Sequence, residues 1–158
     1  MTDTFSIESI RRLLDDVVDP EIPVLTIADL GILRGVKIDD HGSVVVTITP
    51  TYSGCPAMST IVEDIESALA NAGVERVTVR TVFQPAWTTD WMTETAKEKL
   101  KNFGIAPPTE TGGESPSVLC PQCASGRTKT ISVFGSTACK ALMVCSSCLE
   151  PFDYFKAF

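Results

Sequence analysis

The chain has 158 residues, a net charge of −7 and an isoelectric point of about 4.6. A nucleic-acid-binding protein needs a basic face to neutralise phosphates, so this charge balance argues against a nucleic-acid partner. No apolar stretch approaches the roughly 18 residues of a membrane span. Residues 1–10 have neither the basic start nor the apolar core of a secretory signal. We therefore expect a cytoplasmic protein without membrane contact.

Residues 1–106 carry the helix and strand patterns of a small α/β domain. Apolar residues at helical spacing after Ser6 predict a first helix that stops before Asp19-Pro20. Two β-branched runs, Ile32–Ile38 and Val44–Thr49, predict strands joined by a hairpin turn at residues 39–42.

The same domain continues with a second helix, a third strand and a third helix. The second helix starts at Pro56 and ends at Gly73, a suitable C′ glycine. The third strand covers residues 74–83. The third helix follows a Thr89 cap, has Phe103 on its inner face and stops at Gly104. The order α-β-β-α-β-α predicts a two-layer α/β sandwich around one sheet.

The last third of the chain has a different composition. Residues 107–117 form a polar run rich in Pro, Gly and Ser, which predicts a linker. Residues 118–158 contain two apolar runs, 129–134 and 141–144, which predict strands of a small β-rich module. So short a module cannot build a sufficient core alone, and a bound metal would supply much of its folding free energy. The predicted fold class is α+β.

Two Cys-x-x-Cys pairs give the clearest indication of the chemistry of this module. They are Cys120 with Cys123 and Cys145 with Cys148. Four thiolates at this spacing can hold one metal ion tetrahedrally, as in zinc ribbons. An iron–sulfur cluster accepts the same four ligands. Two local disulfides or redox dithiols are the alternatives, but neither pair opens a helix after a buried strand. The sequence therefore predicts a zinc-ribbon-like module with a structural metal.

A fifth cysteine, Cys55, lies where the second helix begins. Pro fits the first helical position, so Pro56 places Cys55 at the N-cap. Backbone N–H groups and the helix dipole there would stabilise a thiolate. Cys55 is thus a candidate reactive thiol or transient metal ligand, and the alternative is a small capping residue. Asp19 and Glu21 are candidate acid–base or metal-binding groups, with a helix stop and solvated acids as the alternative.

The other chemistry-bearing residues give weaker signals. Trp87 and Trp91 could line a recognition groove or pack a loop onto the core. Cys139, next to Lys140, is a spare ligand, a redox sensor or a small apolar residue. His41 is the one histidine, and no glycine-rich phosphate loop or nucleophile elbow is present. The sequence therefore argues against an enzyme that acts by itself.

Several longer runs resemble the PaaD family (also labelled PaaJ) of the bacterial phenylacetate degradation pathway. The runs are Asp19-Pro20-Glu21-Ile22-Pro23, Asp29-Leu30-Gly31, Thr49-Pro50-Thr51-Tyr52-Ser53-Gly54-Cys55-Pro56, the segment from Pro85 to Met92, and two ribbon segments, 134–142 and 150–156. The front domain also resembles SufT-like iron–sulfur assembly factors. In that wider family the Asp-Pro-Glu loop and the Cys-Pro helix start are the signature.

The resemblance implies a site around Cys55, with Asp19, Glu21 and Thr51 as its neighbours. It also implies a role in maturing the multicomponent phenylacetyl-CoA epoxidase, whose oxygenase has a di-iron centre and whose reductase carries an iron–sulfur cluster. The expected cofactors are a structural Zn²⁺ or an iron–sulfur cluster at the four cysteines, and transient iron or a cluster near Cys55. The expected partners are the oxygenase or reductase components, and a homodimer is left open. The alternatives are a noncatalytic structural subunit of the epoxidase and a thiol oxidoreductase using Cys55 or Cys139.

Overall fold

The computed structural model describes residues 5–109 and 117–158. The chain divides into two compact units: an N-terminal unit that ends at Trp87 and a C-terminal unit that begins at Thr88. This division differs from the predicted domain bound at residue 106, because the short strand Ile105–Ala106 pairs with a strand near the end of the chain. Residues 110–116 of the predicted linker lie outside the described residues.

The N-terminal unit contains two helices, α1 (Ile7–Leu14) and α2 (Ala57–Asn71). Helix α1 begins where predicted, because the Ser6 side chain accepts the Ser9 N–H and the Ser9 side chain accepts the Ser6 N–H in a capping box. Helix α2 ends before Gly73, whose φ of +92° is the left-handed conformation expected of a C′ glycine. Both helix ends therefore follow the local rules that the sequence expresses.

A three-stranded sheet completes this unit, with strands β1 (Leu33–Ile38), β2 (Val44–Ile48) and β3 (Val77–Thr81) in the order β1-β2-β3. Strands β1 and β2 are antiparallel, and β2 and β3 are parallel because α2 lies between them in the chain. The Asp39 carboxylate closes the β1–β2 turn by accepting the N–H groups of His41 and Ser43, each at 2.9 Å. The unit's core is formed by fully buried aliphatic side chains from both helices, the loops and the sheet: Ile10, Leu14, Leu25, Ile27, Ile48, Ile61, Ile65 and Leu69.

The third helix differs from its prediction at both ends. The Thr89 cap was wrong: Thr89–Trp91 is a single 3₁₀ turn, and α3 (Glu94–Asn102) begins after Thr93. Thr93 is the N-cap of α3, and its hydroxyl accepts the Ala96 N–H at 3.0 Å. Phe103 is 52% exposed rather than inward-facing, whereas Gly104 ends the helix as expected, with φ +88°.

The C-terminal unit contains a four-stranded sheet in the order β4-β7-β6-β5. Its strands are β4 (Ile105–Ala106), β5 (Thr128–Ser132), β6 (Lys140–Cys145) and β7 (Pro151–Phe155). Strands β5, β6 and β7 form an antiparallel meander, and β4 pairs parallel with β7. Strands β5 and β6 correspond to the two predicted runs. The mixed α+β class predicted from the sequence is confirmed.

Candidate functional site

The two Cys-x-x-Cys pairs form two matching tight turns. The N–H of Ala124 donates to the carbonyl of Cys120 at 2.9 Å, and the N–H of Leu149 donates to the carbonyl of Cys145 at 3.0 Å. Ala124 and Leu149 adopt the same left-handed backbone conformation, with φ of 61° and 66°. Each turn thus closes just after its second cysteine, which directs both sulfurs of a pair towards one point.

Backbone N–H groups also bond directly to the sulfurs. The Gln122 N–H lies 3.4 Å from the Cys120 sulfur, and the Ser147 N–H lies 3.3 Å from the Cys145 sulfur. Such donors stabilise negative charge on sulfur, which metal-bound thiolates carry. The two turns therefore provide the surroundings of thiolate ligands as well as their positions.

The sulfur positions fit a single tetrahedral ion. All four Sγ atoms lie within 4.8 Å of one another. Two of these separations are 3.7 Å for Cys120–Cys148 and 3.6 Å for Cys123–Cys145. A tetrahedral zinc with bonds of about 2.3 Å separates its sulfurs by about 3.8 Å. All four cysteines are free thiols, so the disulfide alternative does not describe this structure. These residues form a metal-binding site.

The charge state of the cluster also favours a cation. The Cys148 N–H, which donates to the Cys145 sulfur, helps to lower the pKa of Cys145 to about 6. For Cys148 the Glu150 N–H acts to lower the pKa, but burial and the three other sulfurs outweigh it and raise the pKa to about 12. Four thiols this close resist full ionisation, and a bound divalent cation would remove that resistance.

The site is also part of the core of its unit. Cys120 and Cys145 are buried in one cluster with Ala106, Val118, Met143 and Phe152, and Tyr154 packs against it. Cys123 and Cys148 are exposed. The first cysteine of each pair therefore anchors the core, and the second lies at the surface.

Cys55 lies one residue earlier than expected relative to helix α2. The N-cap is Pro56, which makes no side-chain capping bond, and the first helical residue is Ala57. Gly54 has φ +89°, which allows the sharp turn before the cysteine, and the Cys55 N–H donates to the Tyr52 carbonyl at 3.3 Å. The thiol is half-buried. Sequence reasoning missed the Ala57 N–H, which bonds to this sulfur, because proline at N1 is the commoner arrangement.

The surroundings of Cys55 include the other three residues that the family resemblance singled out. Burial raises the pKa of the Cys55 thiol; the Ala57 N–H lowers it, the Glu21 carboxylate raises it, the Thr51 hydroxyl bonded to the sulfur lowers it, and Asp19 raises it. The net direction is upward. The backbone donor at the helix start acts in the expected direction, but desolvation and the two carboxylates outweigh it. Thr51, Glu21 and Asp19 therefore all influence the pKa of Cys55, but among the described residues Cys55 and the two carboxylates do not form a ligand cluster like that of the four ribbon cysteines.

The two carboxylates near Cys55 are differently engaged. Asp19 is buried, and its Oδ1 accepts the N–H groups of Glu21 at 2.8 Å and Ile22 at 2.9 Å. Its backbone N–H donates to the Leu25 carbonyl at 2.9 Å. Asp19 thus fixes the loop that carries Glu21. This is more than the solvated helix stop that the sequence left as the alternative.

The two tryptophans lie in different compact units. Trp87 is 5% exposed, and its indole N–H donates to the Leu30 carbonyl at 2.8 Å. It therefore packs the core of the N-terminal unit, which is the second of the two roles that the sequence left open for this residue. Trp91 is half-buried in the 3₁₀ turn, and its binding role stays a prediction. Cys139 is buried, with its sulfur 3.0 Å from the Thr137 hydroxyl.

Comparison with protein-family models divides the chain in two. The model described as "Iron-sulfur cluster assembly protein" matches residues 7–81, and the model described as "PaaD zinc beta ribbon domain" matches residues 104–156. A domain of unknown function from Bacillus anthracis, solved by crystallography, has a TM-score of 0.56 and 31% identity; the match covers 60% of this chain and 90% of that one.

Two relatives show how the two parts are distributed. A protein of Escherichia coli strain K12, provisionally named as one of the subunits of 1,2-phenylacetyl-CoA epoxidase, is 51% identical over 95% of this chain and 92% of its own length. The Fe-S protein maturation auxiliary factor YitW of Bacillus subtilis strain 168 is 40% identical over 59% of this chain and 91% of its own length. The shorter relative thus lacks a counterpart to much of this chain.

These matches define the class of protein: an iron–sulfur assembly domain joined to a zinc β-ribbon. The chain belongs to the PaaD family. The comparisons support a role related to iron–sulfur assembly. In the part of the chain that the structure describes, no helix has both the length and the apolar character needed to cross a membrane.

Proposed function

We propose that this chain is an accessory maturation factor for phenylacetyl-CoA epoxidase and that Cys55 transiently holds the iron or iron–sulfur species delivered to it. The observation that carries the proposal is the electrostatic environment of Cys55. Burial and the charges of Glu21 and Asp19 raise the pKa of the half-buried thiol, whereas the Ala57 N–H and the Thr51 hydroxyl lower it. Thiolates and carboxylates are both common ligands of iron.

The raised pKa of Cys55 suits transient rather than permanent binding. At neutral pH the empty site is a protonated thiol, which is less reactive towards oxidants than a thiolate. Iron binding displaces the thiol proton, which passes to solvent. Loading therefore releases a proton and unloading restores the thiol.

We further propose that the four ribbon cysteines hold one zinc ion rather than an iron–sulfur cluster. A cluster places several irons and sulfides between its cysteine ligands and so needs wider sulfur separations than the 3.6 Å and 3.7 Å found here. Four thiolates on one zinc leave no open position, so this ion would hold the ribbon together and take no part in delivery.

The test is the metal content of epoxidase made in cells that carry variants of this chain. With Cys55→Ser we expect epoxidase deficient in iron, although the maturation factor itself folds and accumulates. Cys139→Ser is the matched control, because Cys139 likewise forms no disulfide but lies in the other unit. Fully loaded epoxidase from the Cys55→Ser strain would refute the proposal.

A second candidate function is a stably bound, noncatalytic subunit of the epoxidase. The name of the Escherichia coli relative, which calls that protein a subunit, favours this alternative. Co-purification in fixed stoichiometry at high salt would support it. An association that appears only while metal is being loaded would support maturation instead.

A further inference from the structure

Three apolar side chains are exposed together at the end of strand β5. Ile131 is 56% exposed, Val133 63% and Phe134 67%. Strand β5 is at the edge of its sheet and pairs only with β6 among the strands that the structure describes. A contiguous group of large exposed apolar residues is typical of an interaction surface rather than of ordinary solvent-facing chain. We call Ile131, Val133 and Phe134 the β5 patch.

The backbone of the β5 patch is held in one conformation. The Ser132 hydroxyl donates to the Phe134 carbonyl at 2.8 Å, and the Phe134 N–H lies 3.3 Å from the same hydroxyl oxygen. The next residue, Gly135, donates its N–H to the Lys140 carbonyl at 2.7 Å. A backbone that is already ordered loses less conformational entropy on binding than a free loop would.

The charges around the β5 patch are positive. The Lys156 ammonium lies 4.6 Å from the centre of the Phe134 ring and donates to the Val133 carbonyl at 3.0 Å. Lys129 is exposed on β5 itself. The nearby carboxylate of Asp153 is already engaged by the Ser136 hydroxyl at 3.0 Å and by the Lys140 ammonium at 3.8 Å. A basic rim around an apolar centre fits a partner with carboxylates around an apolar pocket.

The position of the β5 patch in the chain indicates which partner that is. The patch lies in the ribbon, residues 104–156, whereas the assembly domain matches residues 7–81. The YitW relative covers 59% of this chain with nearly all of its own length, but the relative named after the epoxidase covers 95%. The ribbon is therefore the part that accompanies the epoxidase name.

We infer that the β5 patch is the docking surface for an epoxidase component whose surface presents acidic side chains around an apolar pocket. This inference rests on the proposed function, because it assigns the recognition step that precedes metal delivery. Phe134 would enter the pocket, and Lys129 and Lys156 would face the acidic rim. Docking and delivery then involve separate surfaces, the β5 patch in one compact unit and Cys55 in the other.

The test is the affinity of the full chain for purified epoxidase components, the oxygenase and the reductase, each titrated separately by calorimetry. With Phe134→Ala we expect the dissociation constant for one component to rise at least about 10-fold, as for a hot-spot residue. Phe103→Ala is the matched control, since Phe103 is also exposed but lies outside the patch, and we expect less than about a 2-fold change. Metal content must equal that of the parent chain, which shows that the ribbon of each variant is folded.

Charge reversal tests the chemistry of the partner. Lys129→Glu should weaken binding and reduce its dependence on salt, because the partner's rim is inferred to be acidic. Cys55→Ser should bind the epoxidase component normally but fail to bind iron at position 55. Failure of docking and failure of delivery can therefore be told apart. Unchanged binding by Phe134→Ala, stronger binding by Lys129→Glu, binding of the parent chain to neither component, or self-association through the patch would each overturn the inference.

Discussion

Removal of the ribbon metal should unfold the C-terminal unit and leave the N-terminal unit folded. Two of the six residues in the ribbon core cluster, Cys120 and Cys145, are also metal ligands. The apparent free energy of structural zinc binding is about 10–16 kcal/mol in zinc-finger peptides, whereas whole domains are stable by only about 5–15 kcal/mol. A bound ion can therefore contribute as much free energy as the whole stability of a typical domain.

The assay is nuclear magnetic resonance of the full chain before and after treatment with a strong chelator. Amide signals of the buried ribbon residues Met143 and Phe152 should collapse to disordered positions. Signals of the N-terminal core residues Ile61 and Leu69 should stay, because no ribbon cysteine lies in that unit. Readdition of zinc should restore the ribbon signals.

The same reasoning separates the ligand cysteines from the other buried cysteine. Cys145→Ser should lose the metal and with it the ribbon signals. Cys139→Ser, also a buried position, should keep the metal and cost on the order of 1 kcal/mol. Persistence of ribbon signals after complete metal removal would refute the reasoning, because the core would then be sufficient alone.

Three further predictions concern single side chains. Because the pKa of Cys55 is raised above its ordinary value, alkylation of its thiol should be slow near neutral pH and faster as the pH rises. Glu21→Gln should lower this pKa and speed alkylation at neutral pH. An unchanged alkylation rate would contradict the role of the Glu21 carboxylate. Leu149→Gly should be tolerated, but Leu149→Val should destabilise the ribbon by about 1 kcal/mol or more in urea unfolding, since φ is +66° there; equal stabilities would contradict this. Trp87→Phe should destabilise the N-terminal unit by about 1–3 kcal/mol, because the Leu30 carbonyl loses its donor; an unaltered unfolding midpoint would argue against the packing role.

The sequence predicted the features that depend on local rules. The Ser6 cap, the Gly73 and Gly104 helix ends and the turn at residues 39–42 follow from short-range hydrogen bonds and backbone freedom. The four-cysteine site was predictable for the same reason, since each pair is a local turn. Both Thr89 and Thr93 can cap a helix, so local rules alone do not decide between them. In the folded chain Thr93 is the cap and Thr89 lies in the preceding 3₁₀ turn.

Features that depend on distant parts of the chain were harder to predict. Strand β4 has two residues and forms only because β7, almost fifty residues later, lies beside it. Likewise the pKa of Cys55 is raised mainly by burial of the thiol and further by Glu21 and Asp19, which are more than thirty residues away in the sequence. The helix start alone predicts a lowered pKa for Cys55, which is the opposite direction. Whether Trp87 lines a groove or packs into the core also depends on a distant part of the chain, because its indole N–H donates to the Leu30 carbonyl.

The most direct test of the central claim is an anaerobic iron titration of the zinc-loaded chain, followed by Mössbauer spectroscopy. If Cys55 is the delivery site, the parent chain should bind iron with a sulfur ligand at a site separate from the ribbon and release about one proton per iron. Cys55→Ser should lose this site and keep its zinc. Iron that binds Cys55→Ser as tightly as the parent chain, or that binds only by displacing zinc from the ribbon, would contradict the assignment of Cys55 as the site of delivery.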